Sequence, residues 1–112
     1  MERIYNKLVR DKIPEIIINK GENPITRILN DFEYKEALEK KLFEEYEEVI
    51  ESNGNDRIEE LADMIEVIRA LGKLENTTIE EIIKIANEKK DKRGAFDNKI
   101  FLEKVVVVPV KI

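Results

Sequence analysis

Residues 42–71 read LFEEYEEVIESNGNDRIEELADMIEVIRAL. An amphipathic stretch, a polar turn and a more apolar stretch follow one another, and the fold depends on how they pair. The turn, Ser52-Asn53-Gly54-Asn55-Asp56, is made of chain-reversing residues. A short turn between two segments of helical period predicts an antiparallel helix pair. On a wheel of about 100° per residue, Leu38, Leu42 and Val49 fall within about 40° of one another, with Tyr46 just beyond. Glu45 falls about 20° from Leu38, at the edge of that apolar face, and Glu48 lies one helical step (i, i+3) further on. Glu44, Glu47 and Glu51 point to the far side.

The second segment carries a wide apolar arc of Ile58, Leu61, Met64, Ile65, Val67, Ile68 and Leu71, which predicts a central helix. Glu60 falls between Val67 and Leu71 on that arc, and Asp63 at its edge beside Ala70. Asp is a mediocre helix-interior residue, and a carboxylate facing a core is costly unless compensated. Four converging carboxylates, Glu45, Glu48, Glu60 and Asp63, repel one another. The remedies are partial protonation, cationic partners or a metal ion. An all-oxygen donor set suits a hard ion, Mg²⁺ or Mn²⁺. The bland alternative is a solvated face, since an ExxE spacing recurs by chance in a chain with 40% charged residues. Inward placement on two facing helices, with an inward Asp, argues for the metal site.

Composition narrows the function classes. At 112 residues the chain is expected to form one domain, residues 1–112. A net charge of −5 argues against general nucleic-acid binding. Without Cys there is no disulfide, zinc-thiolate or thiol chemistry. Without His there is no imidazole acid–base catalysis, and the Glu-x-x-His ligands of di-iron bundles are missing. Met1-Glu2-Arg3-Ile4-Tyr5 has no apolar signal region and no run approaches a membrane span, so a cytoplasmic protein is expected.

Taken in order, residues 3–12, RIYNKLVRDK, are basic. Lys7, Arg10 and Lys12 read either as anion binders or as plain surface charge. Pro14 suits a first helical turn, predicting a short helix from Ile13 to about Asn19 that ends near Gly21. Ile25 to Leu29 reads as a short strand. Asn30 or Asp31 caps the first long helix, from about Phe32 to Ser52. The second runs from about Asp56, near its N-cap, to Leu74, with fraying expected at Gly72. Thr77-x-x-Glu80 and Thr78-x-x-Glu81 are both capping-box patterns for a fourth helix reaching about Lys92. Its face of Ile79, Ile82, Ile83 and Ala86 continues into Lys89 and Arg93. Those two read as phosphate binders, as partners for the carboxylates, or as snorkelling cations at a helix end. Gly94 then stops the helix. Val105 to Val108, followed by Pro109, reads as an edge strand pairing with Lys99–Glu103, the N-terminus or another subunit. The fold class expected is all-α, four helices with a short C-terminal β segment.

These residues resemble the MazG-like all-α nucleoside triphosphate pyrophosphohydrolases, a superfamily that includes phosphoribosyl-ATP pyrophosphohydrolase. Its mark is EExxE on one helix and ExxD on the next. Here that is Glu44-Glu45-Tyr46-Glu47-Glu48, then Glu60-Leu61-Ala62-Asp63. The opening YNKLVRDKIPEII and the late Lys89…Arg93-Gly94-x-Phe96 are similar to the branch described as house-cleaning non-canonical NTP pyrophosphatases. The resemblance covers about residues 5–103. It implies a four-helix MazG-like bundle and Mg²⁺-dependent cleavage between the α- and β-phosphates, giving a nucleoside monophosphate and pyrophosphate. It further implies Glu45, Glu48, Glu60 and Asp63 as metal ligands, Glu45 or Glu48 as the group activating water, and Arg10, Lys12, Lys89 and Arg93 holding phosphates. A homodimer or larger homo-oligomer is implied, with no nucleic acid or membrane partner. The alternatives are phosphoribosyl-ATP as substrate, or a non-catalytic nucleotide-binding or oligomeric helical module.

Overall fold

Two helices of 21 residues each carry the fold. The structure, a computed structural model, describes residues 1–110. Four helices follow one another: α1, Ile13–Asn19; α2, Asp31–Glu51; α3, Gly54–Leu74; and α4, Ile79–Arg93. The chain divides into two compact units, Met1–Ile79 and Glu80–Ile112. Among the described residues no helix is long and apolar enough to cross a membrane.

Within the first unit, α2 and α3 pack on each other. Their boundaries follow local chemistry. Asn30 caps α2 in a capping box: its side chain accepts from the Glu33 N–H at 2.8 Å, and the Asn30 N–H donates back to Glu33 Oε1 at 3.3 Å. Only Ser52 and Asn53 separate α2 from α3, so the reversal is tighter than the five-residue turn expected. Helix α3 starts at Gly54, and Asp56 sits in its first turn, where a carboxylate complements the helix dipole. Arg57 closes the corner from inside α3, its Nε donating to the carbonyls of Val49 at 3.1 Å and Ser52 at 3.0 Å. Those are carbonyls at the end of α2 that intrahelical bonds leave free.

At the other end α3 does not fray at Gly72. That glycine is buried, the helix runs on to Leu74, and the Gly72 carbonyl accepts from Glu75 and Thr77. Helix α4 begins directly after Thr78, in the register of the Thr78–Glu81 pattern. It ends at Gly94, whose φ of +85° suits a residue without Cβ and whose N–H donates to the Lys90 carbonyl at 2.8 Å.

The apolar arc of α3 is split. Val67 is buried and Met64, Ile68 and Leu71 are half-buried, whereas Ile58, Leu61 and Ile65 are exposed. Leu38, Val67 and Ile79 are the apolar residues buried most fully among those described. Helix α3 is therefore covered on one side by α2 and open on the other, rather than central.

The two strand expectations are corrected. No strand forms among the described residues, neither at Ile25–Leu29 nor at Val105–Val108. Val105 to Val108 are 73–84% exposed. β-branched residues favour an extended backbone, but a strand exists only where a partner takes up its N–H and C=O groups. No described segment serves as that partner.

Candidate functional site: a carboxylate cluster across a helix pair

Glu45 is buried, at 5% exposure, on the face of α2 that meets α3. Its Oε2 makes no hydrogen bond among the described residues. Its Oε1 lies 3.8 Å from Lys41 Nζ, one turn earlier on the same helix, and Lys41 also sits 3.6 Å from Glu44. Burial pushes the Glu45 carboxyl above the usual carboxylate range, and the charge of Glu48 adds to it. Lys41 opposes the shift and Asp63 adds a little more.

From α3, Glu60 and Asp63 meet Glu45. One carboxylate oxygen from each of the three lies within 4.8 Å of the others, so the three can share one cation. Glu60 Oε2 is also without a hydrogen bond. The Glu60 carboxyl is pushed up to about 7, first by the adjoining Glu48 carboxyl, then by burial and the charges of Glu48, Asp63 and Glu45. Glu48 is itself exposed, so it borders the cluster from the solvent side. All four carboxylates chosen from helical period thus act on one another, with Glu45, Glu60 and Asp63 forming the tight group.

Such clustering follows from local rules. Glu45 and Glu48 are an i, i+3 pair on α2, and Glu60 and Asp63 are an i, i+3 pair on α3. A tight antiparallel turn brings the two pairs to the same level.

The expected cations have different fates. Arg10 Nη2 donates to Asp63 Oδ1 at 2.8 Å, joining residues 53 positions apart. Lys12 occupies the N-cap position of α1, its carbonyl accepting from the Ile16 N–H, with its side chain exposed. Lys89 and Arg93 belong to the second unit, where both are exposed toward the end of α4. Sequence reasoning missed Lys41 as a member of the cluster. The available signal was its i, i+4 spacing to the inward Glu45.

Beside the cluster an apolar groove of about 340 Å³ opens between the helices, lined by Leu42, Phe43, Tyr46 and Met64. Phe43 is 71% exposed and Tyr46 56%.

The geometry defines a class first: an all-helical chain with an inward acidic cluster spanning two helices, a donor set suited to a hard divalent cation. Comparison with known proteins adds one partial relative. No protein-family model matches the chain. No solved structure matches it either. A curated protein of Mycolicibacterium smegmatis, described as an uncharacterized protein, is 46% identical over 50 residues, covering 45% of this chain and 51% of the relative. The chain therefore spans about half the length of the curated relative it matches.

Proposed function

We propose that this protein is a Mg²⁺- or Mn²⁺-dependent nucleoside triphosphate pyrophosphohydrolase of the MazG-like kind. It would act in the cytoplasm on non-canonical nucleotides, cleaving between the α- and β-phosphates. Glu45 carries the reading: a carboxylate at 5% exposure, with an oxygen that no hydrogen bond satisfies, facing Glu60 and Asp63. A buried acceptor left unsatisfied costs about 1–3 kcal/mol. Lys41 at 3.8 Å relieves Glu45 in part and leaves Oε2 alone. The residues fit a hard cation on two further counts: the donors are all oxygen, and Glu60 presents a second unbonded oxygen. Glu45, Glu60 and Asp63 would hold the ion, with Glu48 beside them. Bound there, it would neutralise phosphate charge and lower the pKa of a nearby water.

The protein's own groups supply the rest. Glu48, exposed beside Glu60, orients the attacking water and accepts its proton, a role the buried Glu45 is less able to fill. As the water oxygen bonds to the α-phosphorus, the bridging P–O bond breaks and pyrophosphate leaves. Arg10 and Lys12 hold the phosphates through charge-assisted hydrogen bonds. For Lys89 and Arg93 that role rests on the family resemblance alone.

A second copy of the chain is proposed to cover exposed apolar residues of the α2–α3 pair, giving a homodimer or larger homo-oligomer of the MazG-like kind. Phe43, Tyr46 and Ile50 on α2 recur at i, i+3, i+7, as do Ile58, Leu61 and Ile65 on α3, and all six are exposed. Two exposed apolar stripes on one helix pair support self-association.

The test is pyrophosphate release from a panel of canonical, deaminated and oxidised nucleoside triphosphates, with Mg²⁺ and with chelator. Release that requires the metal, with one substrate preferred, supports the proposal. No release by a folded protein transfers the assignment to phosphoribosyl-ATP or to a non-catalytic module.

A further inference from the structure

Arg10 stands in an unusual position for a phosphate-binding residue, because its guanidinium already has an anion. Its Nη2 donates to Asp63 Oδ1 at 2.8 Å. Asp63 belongs to the three-carboxylate group, so the bond ties up one member of that group. The other two members are not neutralised in the same way: Glu45 and Glu60 each keep an oxygen without a hydrogen bond. The pair is open to solvent, with side chains 57% and 45% exposed, so it is weak and easily exchanged. The backbone at Arg10 is anchored, its carbonyl accepting from the Ile13 N–H at 3.0 Å at the head of α1. An exchange of partner therefore needs only the side chain to move.

Charge makes the exchange favourable. A divalent ion held by Glu45, Glu60 and Asp63 would share Asp63 with a guanidinium, and two cations on one carboxylate repel. A phosphate offers Arg10 two or more charged acceptor oxygens, where Asp63 accepts through Oδ1 alone. We infer that Arg10 is a displaceable counter-ion, paired with Asp63 while the cluster lacks a divalent cation and released to the substrate's phosphate when a cation takes Asp63. Cation binding and phosphate binding then favour each other through one side chain. The inference rests on the cation-and-phosphate reading above and adds a direction to it. Arg10 opposes the cation alone and supports cation and phosphate together.

The test uses the full chain and two ligands. Mn²⁺ affinity is measured without nucleotide, by the paramagnetic resonance signal of the free ion, for the parent protein, Arg10→Ala and Lys7→Ala. Pyrophosphate affinity is then measured at saturating Mn²⁺. Lys7 lies over the Tyr5 ring in the same basic segment, so Lys7→Ala removes an equal charge without touching Asp63. For a half-exposed pair, Arg10→Ala is expected to bind Mn²⁺ about three- to fivefold more tightly. It should also bind pyrophosphate about tenfold more weakly. Lys7→Ala should leave Mn²⁺ affinity as in the parent. Unchanged or weaker Mn²⁺ binding in Arg10→Ala overturns the inference and leaves Arg10 as a group that holds Asp63 in place. Equal tightening in Lys7→Ala overturns it in favour of general charge. Tighter Mn²⁺ with unchanged pyrophosphate affinity removes the exchange. If the parent protein binds no Mn²⁺, the cation reading itself falls, an outcome distinct from the other three.

Discussion

Glu45 and Tyr46 are neighbours on α2, and the fold treats them in opposite ways. The carboxylate is buried, and the aromatic ring lies 56% exposed in an apolar groove. The same inversion holds across the helix pair: Glu60 and Asp63 turn toward Glu45, whereas Leu61 and Ile65 face outward. Burying charge and exposing apolar surface both oppose the stability of an isolated chain. On the function proposed above, two regions that break the same rule in opposite senses would have two different partners, a cation for the carboxylate cluster (the acidic corner) and a second copy of the chain for the groove.

The largest expected effect comes from the corner. Asp63→Asn removes a charged oxygen from the three-carboxylate group and should lower metal-dependent pyrophosphate release by about a hundredfold or more. The far-ultraviolet circular dichroism should be unchanged. Near-parental turnover would take Asp63 out of the site.

Phe43→Lys probes the groove. If a second copy covers this side, one charge there should shift the protein from dimer to monomer in sedimentation velocity. Turnover at concentrations where the parent is dimeric would show whether assembly matters to the corner. A parental sedimentation profile would separate the groove from self-association.

Glu45→Leu tests whether the buried carboxylate is kept for stability or in spite of it. In chelator, replacing an unsatisfied buried acceptor with an apolar side chain should raise stability by about 1–3 kcal/mol in denaturant unfolding. In saturating Mg²⁺ that gain should shrink, because only the parent is then stabilised by the ion. An equal gain in both conditions would sink the cation reading.

The smallest effect is a pH slope. The Glu60 carboxyl is raised from an ordinary value near 4.5 to about 7. The folded state thus holds this proton more tightly than the unfolded chain. Stability from the group is fully present below its unfolded value and is lost as pH rises through about 7. In chelator the melting temperature should therefore decline across that window, and Glu60→Gln should flatten the decline. A slope that survives the substitution must come from another group.

Much of this was legible because helical geometry is local. The period placed Glu45, Glu60 and Asp63 toward the inner sides of two helices with Glu48 one helical step from Glu45, and Asn30 and Gly94 marked helix ends through bonds made within one turn. Arg10 could not be paired with Asp63 from the sequence, since no periodicity links residues 53 positions apart. The α3 arc misled for a related reason. An apolar face shows what can be covered, not what covers it, and Ile58, Leu61 and Ile65 are open in this chain. Val105–Val108 misled because strand propensity describes one chain segment, whereas a strand is a relation between two.

The two-residue link between α2 and α3, braced by Arg57, also has a kinetic consequence. Contacts between segments close in sequence form early, and helical pairs of low contact order fold on a scale of about microseconds to milliseconds. By that rule the carboxylate cluster, made of residues 45–63, is expected to assemble as a local event. The Arg10–Asp63 contact has a larger loop to close and so costs more chain entropy. If the helix pair forms first, the carboxylates meet before the Arg10 guanidinium reaches them. On the function proposed above, a divalent ion would then meet no competitor for Asp63, and Mg²⁺ should speed refolding as followed by stopped-flow circular dichroism.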